Sequence, residues 1–346
     1  MEQMLLEQEA QLKLLPELQT LLQVRYRILQ MIQLSGPIGR RPLSELLNLP
    51  EREVRTETER LRKQGLVVAE TKGMYVTEAG MEVLDVLRPV YYEWSGISEL
   101  EEKLRRNFNI ARVVIVPGDT EQDPHARMLM GQQAAHALMN TMQLNDIIAV
   151  TGGSSIEAIE NFLVESDISQ SVQYIAARGS IGHEMRRQAN TLAASFATKS
   201  NSAYKTLYLP ENLSEHVYVA LKEEPIVQEM LALYDRTNIV VHGIGRADTM
   251  AQRRQVSELE MRYLQEVGAV GEAFGYYFNE KGNTVHRVRA IGIAEHHVKK
   301  SRNILAVAGG QHKAAAICAY FVHAPKQTIF ITDEAAAKEV LAQLQK

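Results

Sequence analysis

Four short stretches of this 346-residue chain join glycine to hydroxyl or cationic side chains, each just after an apolar run. Thr151-Gly152-Gly153-Ser154-Ser155 follows the run 147–150 and precedes helically spaced Ile156, Ile159 and Leu163. Ala177-Arg178-Gly179-Ser180-Ile181-Gly182, His242-Gly243-Ile244-Gly245-Arg246 and Ala308-Gly309-Gly310-Gln311-His312-Lys313 are the other three. A strand, a glycine turn and a helix start together favour an anion, through unpaired N–H groups and the helix dipole. Thr151, Ser154 and Ser155 add hydroxyl donors, Arg178 a forked contact with phosphate and Lys313 a point charge. The first turn is not a Walker loop, because no Gly-Lys-Ser/Thr follows. Any one of these turns could be an ordinary connection; four with Arg178 and Lys313 argue for a pocket for an anionic small molecule. Arg253 and Arg254 could reach a second phosphate or be exposed helix residues. Glu272 could accept sugar hydroxyls or sit in a structural salt bridge. His242 reads as a structural histidine that could also touch ligand.

These turns need a frame. From residue 112 apolar runs alternate with helical patterns: 113–116 then 126–142, 147–150 then 156–164, 173–176 then 185–198. Further runs follow at 207–209, 239–242, 304–307 and 328–331. Such alternation predicts a mostly parallel α/β sheet, whose ligands bind beyond the carboxyl ends of strands. Residues 270–279 and 284–293, separated by Glu280-Lys281-Gly282-Asn283, predict an antiparallel flap.

Before this frame lies a smaller module. Residues 2–15 could form an amphipathic helix that Pro16 breaks. A helix from Glu17 carries Leu21, Val24, Ile28 and Met31 at helical spacing and stops at Gly36-Pro37. Ser44-Glu45-Leu46-Leu47 reads as a short capped helix, followed by a turn and a helix over 51–64 that buries Val54, Thr58 and Leu61. A hairpin over 66–76 follows, with Thr77 capping the next helix. This order is that of a winged helix-turn-helix, with the 51–64 helix in the DNA major groove. Arg52, Arg55, Thr56 and Arg60 are the candidates for base edges and phosphates; Arg40, Arg41, Arg62, Lys63 and Lys72 could hold phosphate. The alternative is a protein-binding winged helix, since Glu51, Glu53, Glu57 and Glu59 interleave with the arginines. Helical residues continue to Val90, Trp94-Ser95-Gly96 breaks the pattern, and Ser98 to Glu101 reads as a capping box for a further helix. The expected domains are 1–90, a helical linker 91–110, and 111–346.

A net charge of −4 implies no affinity of the whole chain for polyanions, so any nucleic-acid surface is local. One cysteine, Cys318, excludes an intrachain disulfide framework and a multi-cysteine metal site. No His-Glu-x-x-His spacing and no Gly-x-Ser-x-Gly elbow occurs, and His296-His297 reads as solvent-exposed. No metal site and no catalytic residue are expected. Glu2, Glu7, Glu9 and Lys13 interrupt any leader pattern, and no apolar run reaches membrane-spanning length. A cytoplasmic protein with no membrane partner is expected.

The chain resembles the SorC family of bacterial sugar-responsive transcription regulators over nearly its whole length. Gly36-Pro37-Ile38-Gly39-Arg40-Arg41, the stretch 150–157, Ala177-Arg178-Gly179 and 242–254 carry the resemblance. Gly271-Glu272-Ala273-Phe274-Gly275-Tyr276-Tyr277-Phe278-Asn279 and 306–313 complete it. The resemblance implies a winged helix that binds operator DNA upstream of glycolytic genes, and an effector domain similar to sugar-phosphate isomerases and deaminases. It implies fructose-1,6-bisphosphate as inducer, no cofactor, and a homodimer or homotetramer on DNA. Carried onto this chain, the effector-binding residues are Gly152, Gly153, Ser154, Ser155, Arg178, Gly179, Arg253, Glu272 and Lys313. Ser154 and Ser155 depart from the threonines expected of close relatives, keeping the hydroxyl and losing a methyl. An isomerase or deaminase with an appended regulatory module is the competing expectation. Such chemistry needs a base and a proton donor, and Glu272 is one carboxylate without a matching set.

Overall fold

The computed structural model describes residues 14–15, 17–180, 184–211 and 213–345. The helix expected over 2–15 therefore lies almost wholly outside the described residues. The chain divides into two compact units, Met1–Glu99 and Leu100–Lys346.

In the first unit, α1 (Glu17–Ser35), α2 (Arg40–Leu47) and α3 (Glu51–Lys63) precede the hairpin β1 (Val67–Glu70) and β2 (Gly73–Val76), and α4 (Glu78–Trp94) closes it. Ile28, Ile32, Leu43, Val54, Leu61 and Leu84 meet in one core. Thr77 caps α4 by accepting the Gly80 amide at 3.1 Å. The second helix begins four residues earlier than Ser44 suggested. Pro42 lies in its first turn, where a missing N–H breaks no helical bond. Ser44 is then mid-helix, and its hydroxyl donates to the Leu49 carbonyl at 2.6 Å, holding the turn into α3. The next helix, α5 (Ile97–Phe108), has no capping box at Ser98 and Glu101. Glu101 instead accepts the Ile115 amide at 2.8 Å, and burial pushes its carboxyl pKa up.

The second unit continues through β3 (Arg112–Val116), α6 (Pro124–Thr141), β4 (Ile147–Val150), the single turn α7 (Ser154–Glu157), β5 (Gln173–Ala176), α8 (Ala189–Ser200) and β6 (Ala203–Lys205). Then come α9 (Glu215–Glu223), α10 (Pro225–Asp235), β7 (Ile239–Gly243), β8 (Gly245–Arg246), α11 (Ala247–Arg253) and α12 (Glu258–Glu266). The chain ends with β9 (Ala269–Ala273), β10 (Tyr276–Asn279), β11 (Thr284–Arg287), α13 (Glu295–Lys300), β12 (Asn303–Val307), α14 (Ala314–Phe321), β13 (Thr328–Asp333) and α15 (Glu334–Leu344). Seven strands form a parallel sheet in the order β3-β13-β12-β7-β4-β5-β6. Outside the edge strand β6 their side chains are nearly all buried, as expected of a sheet covered on both faces.

The flap is a four-stranded antiparallel sheet, β11-β10-β9-β8, rather than one long hairpin. Phe274 and Gly275 both have positive φ (55° and 77°) and turn β9 into β10 within the stretch 270–279. That pair of positive φ values is what a two-residue hairpin turn of the favoured twist demands.

Candidate functional site

The parallel sheet has its topological switch point between β4 and β7: from β4 the chain winds outward through β5 and β6, and from β7 the other way through β12 and β13. Ligands bind in the crevice outside such a point. The four polar turns leave the carboxyl ends of β12, β7, β4 and β5, which are consecutive neighbours in the sheet. They converge on one cavity of about 660 Å³. Gly152, Gly153, Ser154, Ser155, Arg178, Gly179, Arg253, Glu272 and Lys313 all line it.

The Thr151 turn is held from two sides. The Thr151 amide donates to the Val241 carbonyl at 3.0 Å, and the Gly153 amide to the Arg187 carbonyl at 2.9 Å. Gly153 has φ 120°, a conformation open to glycine, and it swings Ser154 and Ser155 toward the cavity. The helix expected over 156–164 is only the four residues of α7 followed by a 3-10 turn at Glu160–Phe162. A macrodipole over one turn contributes little, so the local amides and hydroxyls carry the case for an anion.

Cations dominate the lining: Arg127, Arg178, Arg187, Arg246, Arg253, Arg254 and Lys313 face Glu121, Glu184 and Glu272. They divide into two groups. Arg187 pairs with Glu157 at 2.9 Å and Glu184 at 3.0 Å, and Arg246 with Asp248. Arg254 is not an exposed helix residue: its side chain is 4% accessible, and it bridges Glu211 at 2.9 Å and Glu272 at 3.0 Å and donates to Tyr277 Oη at 3.0 Å. Burial opposes its charge, but Glu272 and Glu211 overcome this and raise its pKa. Glu272 also accepts the Gly275 amide, so its carboxylate is committed twice before any ligand arrives.

Arg178 is buried, with Nε 2.6 Å from Glu211 Oε1. That contact is an ion pair without hydrogen-bonding geometry, and among the described residues Arg178 Nη1 has no hydrogen-bond partner. The guanidinium lies against Gly275, where any Cβ would overlap it. Such an orphaned buried donor is costly unless something completes it, and Arg178 is among the residues that line the cavity.

The second group is uncompensated. Among the described residues, Arg127, Arg253 and Lys313 have no carboxylate within ion-pair distance. Arg127 donates to the Thr120 carbonyl at 2.9 Å. Lys313 is partly buried at the N-terminal end of α14. Burial holds its ammonium pKa below the usual lysine range; Glu121 and Asp333 pull it up, while Arg253 and Arg127 push it further down. Three cations that repel one another beside a glycine turn are a site for an anion. The turn itself is pinned by Asp333, whose buried carboxylate accepts the amides of Thr120 (2.7 Å), Gly310 (2.7 Å) and Ala336 (2.8 Å).

His242 is fully buried beneath the pocket. Its Nδ1 lies 3.0 Å from the Gly243 carbonyl and its Nε2 2.9 Å from Tyr320 Oη, and its ring packs on Phe274. It does not line the cavity and is structural. His297, expected in solvent, is buried as well. Sequence reasoning missed Glu211, Arg127, Arg187 and Asp333, for which no local motif gave a signal.

In the first unit Arg52, Arg55, Thr56, Arg60 and Lys72 are exposed, and Arg40 and Arg41 open α2. Buried Glu57 accepts Arg25 and Arg60, each at 2.6 Å, so Arg60 is partly committed. Glu59 draws Arg40 (3.5 Å) and Arg55 (3.3 Å). Such exposed pairs are worth little and exchange readily for phosphate.

A winged helix followed by an α/β domain with an anion pocket defines a ligand-responsive, DNA-binding regulator. The family described as the CggR N-terminal DNA binding domain matches residues 21–91, and the sugar-binding domain family matches residues 92–342. The chain is 40% identical to the central glycolytic genes regulator of Bacillus subtilis over 96% of its length and 98% of the relative's. A SorC family transcriptional regulator from Enterococcus faecalis superposes with TM-score 0.66 at 37% identity, covering 70% of this chain and 99% of that one. The full-length sorbitol operon regulator SorC from Klebsiella pneumoniae shares the fold, with TM-score 0.65 at 17% identity over 91% and 98% of the two chains. The chain belongs to the SorC family of transcription regulators, within the group of central glycolytic genes regulators. It is a regulator with a DNA-binding and a sugar-binding domain, not an enzyme. Among the described residues, no helix is long and apolar enough to cross a membrane.

Proposed function

We propose that this protein represses a glycolytic operon by binding operator DNA as a homodimer or homotetramer, and that fructose-1,6-bisphosphate releases it. The observation that carries this reading is the cavity beyond β12, β7, β4 and β5. It holds the uncompensated cluster Arg127, Arg253 and Lys313 as well as the Thr151–Ser155 turn with Arg178. Two anion-favouring regions in one cavity suit a ligand with two phosphates. Glu272, fixed by Arg254, suits a sugar hydroxyl. The effector-binding residues are Gly152, Gly153, Ser154, Ser155, Arg178, Gly179, Arg253, Glu272 and Lys313. Arg52, Arg55, Thr56 and Arg60 meet DNA from α3, with Arg40, Arg41 and Lys72 on the backbone. A coupling of ~1–3 kcal/mol between the two sites is enough for control, and several DNA contacts in one assembly amplify it. The relative's printed name supports the glycolytic target. The test is a titration of protein on DNA from upstream of the glycolytic operon, with and without fructose-1,6-bisphosphate at fixed salt. Release by the bisphosphate but not by fructose 6-phosphate supports the reading; retention of DNA at saturating bisphosphate refutes it.

A further inference from the structure

Of the three carboxylates that line the pocket among the described residues, Glu184 pairs with Arg187 and Glu272 with Arg254. Glu121 reaches instead the turn that carries Lys313. Its Oε2 accepts the His312 amide at 3.4 Å and lies 3.8 Å from His312 Nδ1. Its side chain rests against Gly310, where a Cβ would stand 2.4 Å from Glu121 Cγ and 2.6 Å from Oε1. Burial lowers the Lys313 pKa, and of the charges around that ammonium Glu121 acts most strongly, pulling the pKa up. Glu121 thus acts on Lys313 without pairing with it.

The backbone that carries Glu121 is fixed. The Thr120 amide donates to buried Asp333 at 2.7 Å, the Glu121 amide to Asp119 Oδ1 at 2.9 Å, and Arg127 to the Thr120 carbonyl at 2.9 Å. The side chain is held less firmly. It is 32% accessible, and its contact with the His312 amide is longer than the usual N–H···O range. Rotation of this one side chain frees the turn, with no change of backbone.

We propose that Glu121 is a built-in competitor for phosphate at the Lys313 end of the pocket, and that it sets how strongly an anion must bind to act as effector. This rests on the reading of the cavity as a sugar-phosphate pocket. A carboxylate carries one negative charge, whereas a phosphate ester carries ~1.5–2 at neutral pH. Phosphate therefore prevails over Glu121, but against its repulsion, and a repulsive element of this kind is a common source of selectivity. The penalty is similar for every anion at this end, so it tells most on those with no second anchor. Free phosphate is held off at concentrations at which a bisphosphate, fixed also by the Thr151–Ser155 turn, still binds.

The test is calorimetric titration of the full chain with inorganic phosphate, and separately with fructose-1,6-bisphosphate, in a phosphate-free buffer. Glu121→Gln removes the charge and keeps the shape. It should bind inorganic phosphate about threefold to tenfold more tightly than the parent, the factor expected of one unit charge a few ångström from a phosphate under salt screening. Glu121→Ala should gain at least as much, and the bisphosphate should gain by a similar factor. Glu229→Gln, an equal change of charge at an exposed position of α10 outside the lining, should leave both affinities as in the parent. A bisphosphate that fails to bind the parent, while phosphate still gains in Glu121→Gln, refutes the choice of effector and supports the role of Glu121. Unchanged phosphate affinity in both Glu121 variants, no detectable phosphate binding in any of these proteins, or an equal gain in Glu229→Gln overturns the proposal.

Discussion

Replacing Arg178 by alanine tests the pocket most directly. The guanidinium is buried, its Nε faces Glu211 at 2.6 Å, and its Nη1 has no hydrogen-bond partner among the described residues. A charge-assisted bond from that donor to a phosphate is worth about 1.5–3 kcal/mol, or about 10- to 150-fold in effector affinity. The cost to folding is smaller than for an isolated buried pair, because Arg254 continues to neutralise Glu211 at 2.9 Å. Arg178→Lys separates charge from fork: it keeps the cation but cannot make the bidentate contact, and its effector affinity should fall between wild type and alanine. The assay is fluorescence anisotropy of labelled operator with increasing fructose-1,6-bisphosphate. DNA affinity without sugar should stay within about twofold, since Arg178 lies outside the winged helix, while the sugar concentration for half release rises by the factor above. Release of operator by Arg178→Ala at wild-type sugar concentrations would refute the assignment.

Asp333→Asn removes an acceptor shared by the amides of Thr120, Gly310 and Ala336. It should lower stability by about 1–3 kcal/mol and weaken the effector response without touching ligand, as read by urea unfolding beside the anisotropy assay. Arg55→Ala should do the reverse of Arg178→Ala: effector affinity holds, while operator affinity drops and the slope of log affinity against log salt shrinks by about 0.9 if the residue meets one phosphate. His242 gives a pH signature. Burial pushes its imidazole down to about 4, below an unfolded value of about 6.5. The unfolded chain therefore binds the proton first on acidification. Its contribution is fully present above pH 6.5 and is lost as pH falls toward 4, by about 3 kcal/mol in all. In His242→Gln that part of the stability slope should vanish; an unchanged slope would mean that other groups carry it.

Much of this architecture is legible in the residues themselves. The runs 147–150, 239–241 and 304–307 are apolar at every position because parallel strands are covered on both faces, and glycine must follow where the backbone turns at once. What escaped is what depends on distant partners. Glu57 and Arg254 look like exposed helix charges until Arg25, Glu211 and Glu272 come to meet them from elsewhere in the chain. Ser44 looks like a cap because serine often is one, and only Pro42 in the preceding turn lets the helix start earlier. Phe274 hides a strand reversal, since a non-glycine residue at φ 55° has no signature of its own.

The division of the pocket's charge explains why binding there can be a signal. Had every cation been neutralised like Arg254, an anion would find no deficit to fill. Had every one been bare, mutual repulsion would cost the fold before ligand arrived. Glu211 and Glu272 hold Arg254, and through Glu211 also Arg178, so this wall of the pocket is nearly neutral. Arg127, Arg253 and Lys313 have no carboxylate within ion-pair distance among the described residues, and burial holds the Lys313 ammonium below its usual range. A ligand can shift an equilibrium only by its differential interaction with the two states. The Gly309–Gly310 turn follows β12 and α11 follows β7, and β7 borders β4 at the point where the two windings of the chain meet.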